Sequence, residues 1–337
     1  MKLQGVRSLV IGDLYIPCAV MRQAVSRLSP GHLEALEWKV ADLAELQARL
    51  LLLEQHGPDA AEPPDGVWEY LPETEFLMTH LCPVNRKMIE AAPNLRYLGV
   101  CRGGMDTIDH KAIQKRRIRV FNAPGRNANA VAEMTVALML VEARNIARAH
   151  ASLAAGRWRK EFGNDGIPGE LRGKVIGLIG FGAIGRRVAE VLKGFGAELI
   201  IHDPQVSTEL IRTAGAQKVG LPELLRQADF VTLHVRRDPD EVPLIGRAEL
   251  AQMKPTAYLI NTARACFVDE AALCEALQKK QIAGAALDVF DEEPLPADSP
   301  LRRLDNITLT PHLAGSTPEA WECAPGIVVQ SMLKQLA

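Results

Sequence analysis

Val175-Ile176-Gly177-Leu178-Ile179-Gly180-Phe181-Gly182-Ala183-Ile184-Gly185 reads as an apolar strand that breaks into three spaced glycines and turns into a helix. The chemistry of a dinucleotide explains that spacing. Gly180 permits the tight turn, Gly182 lets backbone amides approach a pyrophosphate, and Gly185 lets the helix pack close to the sheet. The helix N-terminus adds N–H donors and a partial positive charge. A second apolar strand, Leu199-Ile200-Ile201, runs into Asp203, 18 residues after Gly185. An acid that binds the ribose hydroxyls is expected about 20 residues on. Gly180, Gly182, Ala183, Ile184, Gly185 and Asp203 are therefore candidate cofactor residues. A carboxylate at 203 repels a 2′-phosphate, so NAD is expected over NADP.

Outward from this unit the pattern repeats. Strands are expected at 8–12, 75–80, 97–101, 119–121, 175–179, 198–202, 230–234, 257–261, 283–287 and 307–310. Helices are expected over 42–55, 128–154, 184–195 and 270–280. Such alternation implies parallel sheets with helical crossovers. The turn Asn122-Ala123-Pro124-Gly125 and the Thr310-Pro311 step mark two joints. The expected architecture is α/β with two Rossmann-like lobes: residues 1–122, completed by a closing helix in 313–337, and residues 123–312.

Composition narrows the function. In 337 residues, 47 % hydrophobic and 24 % charged, the formal net charge is −2. That removes the broad positive field of a nucleic-acid binder, and 5 % aromatic content argues against base stacking. The six cysteines form no C-x-x-C pair and read as reduced thiols of a cytoplasmic protein. No signal-type segment opens the chain, and the apolar run 130–141 carries Glu133 and is shorter than the roughly 20 residues a bilayer requires. Among His32, His56, His110, His150 and His202 no pair has metal-ligand spacing with a cysteine or carboxylate, and no metal is expected.

Three later strand ends carry reactive groups. Ile260-Asn261-Thr262-Ala263-Arg264 presents a guanidinium, Asp288-Val289-Phe290-Asp291-Glu292-Glu293-Pro294 presents carboxylates, and Thr310-Pro311-His312 presents an imidazole. Open parallel sheets bind ligands at this edge. Arginine clamps carboxylates, and a carboxylate beside histidine orients it as a proton donor. Together they suggest reduction of a keto acid. The plainer alternative is a buried Arg264–Glu293 ion pair with His312 as a core histidine.

With these residues in place, the chain resembles the D-isomer-specific 2-hydroxyacid dehydrogenase family over nearly its whole length. Four motifs carry the likeness: Gly104–Asp109 with Asn122–Gly125, the glycine fingerprint, Asn261–Arg264 with Val268-Asp269-Glu270, and Asp288–Pro294 with Pro311–Thr317. The resemblance implies Arg264, Glu293 and His312 as the catalytic arginine, glutamate and histidine. It implies Asp288 at the nicotinamide carboxamide, Thr262 and Ala263 beside the ring, and Val235 and Gly315 also at the cofactor. Gly103, Gly104 and Asn127 become substrate-binding residues with Arg264. It further implies a flavodoxin-like substrate domain, a doubly wound NAD-binding domain, and a homodimer through the latter. The small-molecule partner is then a 2-hydroxy or 2-keto acid. The chain stops 25 residues after His312, so the C-terminal regulatory domain of some phosphoglycerate dehydrogenases is expected to be absent.

Arg236-Arg237 stands after Val235 where the family usually has a proline, which bears on NAD against NADP. Ala265-Cys266 and Ala128 depart from a common glycine and a common threonine. Rival readings are a dinucleotide-sensing binding protein without catalysis, and formate dehydrogenase, which carries glutamine at the Glu293 position. His80, ending its strand, is balanced between a substrate contact and a loop role. Arg102 and Arg126, close to the expected substrate loops, raise the prospect of a doubly anionic substrate; outward-pointing side chains, or pairs with Asp106 and Glu133, are the plain alternative.

Overall fold

Parallel strands covered on both faces must be apolar along most of their length, and both sheets of this chain meet that demand. A computed structural model describes residues 4–162, 164, 169–235 and 242–336. Two units emerge, Met1–Arg126 with Thr317–Ala337, and Asn127–Ser316.

The first unit holds β1 (Arg7–Gly12), β2 (His32–Glu37), β3 (Phe76–Thr79), β4 (Tyr97–Val100) and β5 (Arg119–Asn122), all parallel, in the order β2-β1-β3-β4-β5. This is the flavodoxin-like order. Side chains alternate between two cores, as the two-residue period of a strand requires. Leu9, Ile11, Leu77 and Leu98 face one layer. Val10, Phe76, Met78 and Tyr97 face the other, where the Pro318–Leu336 helix lays down Ala324, Val328, Val329 and Met332. Trp321 of that helix stacks on Tyr15 with ring centroids 4.1 Å apart.

The second unit holds β6 (Val175–Ile179), β7 (Glu198–His202), β8 (Gln217–Lys218), β9 (Phe230–Leu233), β10 (Tyr258–Asn261), β11 (Gly284–Leu287) and β12 (Ile307–Leu309). Their order, β12-β11-β10-β9-β6-β7-β8, is the doubly wound order with one strand added. Its reversal falls between β6 and β9, where such sheets bind ligands. The Ala128–Arg144 and Ala183–Lys193 helices bury Val136, Met139, Val188 and Leu192 against one face.

The α/β class and both sheets are as expected, but details differ. The helix expected over 128–154 is two, Ala128–Arg144 and Ile146–Ala154, parted at Asn145 with φ 54°. Asparagine tolerates this left-handed conformation better than most residues. Helix in the final segment begins only at Pro318, not at 313. Strand β2 was not anticipated, because His32-Leu33-Glu34-Ala35-Leu36-Glu37 is a half-exposed edge and carries three polar residues in six. Among the described residues no helix is long and apolar enough to cross a membrane.

Met332 is fully buried on the Pro318–Leu336 helix. Met332→Ala should cost about 2–5 kcal/mol, read as a lower midpoint in urea unfolding of the whole chain. An unchanged midpoint would mean that this helix is not part of the core.

Candidate active site

The glycine loop follows β6, and each glycine has a geometric reason. Gly180 sits at φ 98°, where a Cβ would fall 2.5 Å from the His234 carbonyl oxygen and 2.9 Å from Val235. A Cβ on Gly185 would strike the Gly180 carbonyl, so helix and turn close only around glycine. Gly182 differs: space beside it is open, and it caps the Ala183–Lys193 helix without any side-chain acceptor. The first intrahelical bond is donated by Arg186 to the Gly182 carbonyl. The amides of Gly182, Ala183, Ile184 and Gly185 thus lie ahead of that bond, the usual position of unpaired donors at a helix start. Donors plus a vacant flank suit a pyrophosphate. Asp203, just past β7, accepts from the Phe181 amide at 2.8 Å and from the Gln205 and Val206 amides. Its carboxylate is therefore locked beside the loop. Buried His234 donates to or accepts from the Thr232 hydroxyl at 3.1 Å, and burial pushes its pKa down to about 3, so it stays neutral.

At the ends of β10, β11 and β12 the expected reactive groups come together in part. Asn261 brackets its loop: its Nδ2 donates to the Arg264 carbonyl, and its Oδ1 accepts from the Ala263 amide. Thr262 is buried and shares a hydrogen bond with Thr135 at 2.9 Å. Arg264 itself is exposed. Its guanidinium donates to the Ala263 carbonyl, and no carboxylate pairs with it among the described residues.

His312 and Glu293 do meet. Nδ1 of His312 lies 2.8 Å from Oε2 of Glu293, whose other oxygen accepts from the Phe290 amide at 3.0 Å. Both side chains reach solvent, at 51 % and 37 % exposure, which removes the buried ion pair and the core histidine as readings. His312 occupies φ 54°, a costly conformation outside glycine and asparagine. Asp288 holds it there. Fully buried, it accepts from the Thr310 hydroxyl at 2.6 Å, the Leu313 amide at 2.9 Å and the Ala314 amide at 2.8 Å. The contacts straddle His312 on both sides. Farther along, a Cβ on Gly315 would approach Asn127 Nδ2 to 2.6 Å, so the Asn127 side chain would have to shift to admit one.

In the first unit, Gly103 and Gly104 follow β4, and the Gly103 carbonyl accepts from Asn122. His80 is buried at the end of β3, its Nδ1 3.0 Å from Asp13. Asp13 went unnoticed in the sequence as its partner. The signal was there: both residues directly follow neighbouring strands, with Ile11 in register with Thr79. Burial alone would raise the Asp13 pKa, but His80 and the Ile16 and Leu81 amides hold it below the usual range. Arg236 and Arg237 lie outside the described residues. No group of three His, Cys, Asp or Glu suited to a metal occurs among those described.

Residues 136–314 match the family model described as D-isomer specific 2-hydroxyacid dehydrogenase, NAD binding domain. A D-3-phosphoglycerate dehydrogenase of Methanocaldococcus jannaschii is 45 % identical over 255 residues, 75 % of this chain and 48 % of that one. The chain spans about half the length of the curated phosphoglycerate dehydrogenases it matches. A glyoxylate reductase of Thermococcus litoralis is 38 % identical over 281 residues, 82 % of this chain and 85 % of that one. Among solved structures, an acyclic imino acid reductase in complex with NADPH and D-Arg is 27 % identical, with a TM-score of 0.71 and coverage of 98 % and 97 %.

Asp288→Asn keeps the shape but turns one acceptor into a donor facing an amide or hydroxyl. The bond lost to a charged group is worth about 1.5–3 kcal/mol, so thermal stability should fall and hydrogen exchange at Leu313 and Ala314 should quicken. Unaltered exchange at those two amides would show that Asp288 does not hold the loop.

Proposed function

Because the chain belongs to the D-isomer-specific 2-hydroxyacid dehydrogenase family, we propose that it interconverts a D-2-hydroxyacid and its 2-keto acid, with NAD as the dinucleotide. The carrying observation is the His312–Glu293 pair on a sheet edge whose arginine, Arg264, has no carboxylate partner. When bound, the nicotinamide supplies the hydride for reduction and takes it in oxidation. Arg264 clamps the substrate carboxylate, and Asn127 of the same unit is a further candidate contact; in the first unit the backbone amides of Gly103 and Gly104 are the candidate carboxylate donors. His312 gives a proton to the forming hydroxyl and removes it in the reverse direction. Glu293 fixes the tautomer by accepting from Nδ1 and stabilises the imidazolium.

Gly180, Gly182, Ala183, Ile184 and Gly185 would hold the pyrophosphate and Asp203 the ribose hydroxyls. Val235, Thr262, Ala263, Asp288 and Gly315 would line the nicotinamide end. Asp203 supports NAD over NADP, because its carboxylate would face a 2′-phosphate. Six unpaired cysteines, Cys82 and Cys101 buried among them, support a reducing, cytoplasmic setting.

The test is oxidation of NADH and of NADPH against a panel of 2-keto acids. NADH should be the better donor, and His312→Ala should lower kcat by roughly 10²–10⁴ with dinucleotide Kd unchanged. Tight dinucleotide binding without turnover of any keto acid would favour a sensing protein instead. Equal turnover by His312→Ala would remove the proton-donor role.

A homodimer through the second unit is part of the same proposal. Ile146, Leu153 and Trp158 stand 51 %, 58 % and 79 % exposed on and just after the Ile146–Ala154 helix, apolar side chains that a second copy would cover. Light scattering should give twice the chain mass, and Leu153→Asp with Trp158→Asp should halve it. A wild-type monomer would overturn this part.

A further inference from the structure

Three successive carboxylates, Asp291, Glu292 and Glu293, are all exposed, yet it is Glu293 that lies against Nδ1 of His312. The backbone leading to them decides which one arrives. Its inner part is firm: Asp288, Val289 and Phe290 are buried, and the Asp288 amide donates to the Asn261 carbonyl at 3.0 Å. Two consecutive amides mark where that firmness ends. The Phe290 amide donates to Glu293 within the loop, at 3.0 Å. The Asp291 amide donates at 3.2 Å to Oε2 of Glu270, on a different element.

Glu270 opens the Glu270–Gln278 helix, and that helix is a fixed base. Its cap, Asp269, accepts from the Ala272 amide at 2.9 Å and donates its own amide to the Ile245 carbonyl at 3.0 Å. Leu273 and Leu277 of the helix are buried in the core. A carboxylate is costly at this place. Burial raises the Glu270 pKa, the Asp291 amide opposes that rise, and the charge of Asp291 adds to it. No cation pairs with Glu270 among the described residues, so its bond to the Asp291 amide is the contact that offsets the lost hydration.

We propose that Glu270 is a positioning residue for the Glu293–His312 pair. By accepting from the Asp291 amide it ties the exposed half of the loop to the helix, which keeps Glu293, rather than Asp291 or Glu292, at the imidazole. Released from that tie, an exposed loop and a long carboxylate side chain regain conformational freedom, and small misplacements of a catalytic group are expensive in rate. Glu270 acts through Glu293 and not on the substrate. The inference rests on the dehydrogenase reading for the reaction that the pair serves, and on the geometry of the second unit alone for the rest.

Three variants separate reach from charge. Glu270→Gln keeps an acceptor for the Asp291 amide and loses the charge, Glu270→Asp keeps the charge but is one methylene shorter, and Glu270→Ala keeps neither. With NADH and a 2-keto acid, the Ala and Asp variants should lose about tenfold in kcat, with KM and dinucleotide Kd little changed. Gln should recover most of that loss. The pH at which reduction fades should fall in Ala and Asp, because an imidazolium met less often by Glu293 gives up its proton sooner. A loss in Gln as deep as in Ala would assign the effect to charge and overturn the proposal, and so would a wild-type kcat and pH profile in both Ala and Asp. On a Glu293→Gln background, Glu270→Ala should cost little more, since the residue it serves is already gone; full additivity counts against the role. Titration of the His312 imidazole by nuclear magnetic resonance needs no turnover, and should move to lower pH in Ala and Asp but not in Gln. If no keto acid is reduced yet that shift is seen, the dehydrogenase reading fails and the positioning role stands. If keto acids are reduced and neither rate nor titration responds to Glu270, the positioning role fails alone. Should Glu270→Ala not fold, Glu270→Asp decides, because aspartate suits a helix start.

Discussion

A buried carboxylate anchors the reactive edge of the second unit. Asp288 gives its oxygens to Thr310, Leu313 and Ala314, and those contacts keep His312 in a backbone conformation that an L-residue resists. Burial makes the arrangement stiff, because a donor left without its acceptor in a low-dielectric interior is expensive. His312 can then meet Glu293 at one fixed angle while remaining open to solvent. Position and accessibility usually compete. Here they are separated between two residues, one hidden and one exposed.

The same division of labour recurs at the other strand ends. Asn261 is buried and clasps the loop from both sides, leaving Arg264 exposed and unneutralised. Asp203 is locked by three amides beside a helix start that no side chain caps. In each case a short polar side chain near the sheet edge fixes the backbone beside an imidazole, a guanidinium or an uncapped helix start. Open parallel sheets favour this layout because each strand end exposes one turn of loop to the same crevice.

Much of this was legible in the sequence because it depends on local pattern. The glycine fingerprint, its flanking strand and Asp203 all lie within one βαβ unit, and the strand ends at Asn261, Leu287 and Leu309 were marked by apolar runs. The Glu293–His312 contact was legible only through motif likeness, since nothing in a run of three carboxylates, Asp291 to Glu293, says which one meets the imidazole. What stayed hidden is non-local or weakly patterned. Asp13 and His80 are 67 residues apart and meet only after β1 and β3 pair. The break at Asn145 lies inside an otherwise good helical pattern, where a buried Glu142–Arg148 ion pair at 2.9 Å straddles the turn. Strand β2 is short of apolar residues because an edge strand has water on part of its surface.

The return of the Pro318–Leu336 helix to the first unit also has a consequence for synthesis on the ribosome. Residues 127–316 form an uninterrupted insert and emerge whole before that helix does. During that interval the face built from Val10, Phe76, Met78 and Tyr97 lacks the helix that covers it. A nascent chain in this state carries one unit able to fold beside another with open apolar surface, the condition under which chains aggregate or recruit chaperones. The order of maturation would thus run against the order of translation, with the lobe begun first being the last to close.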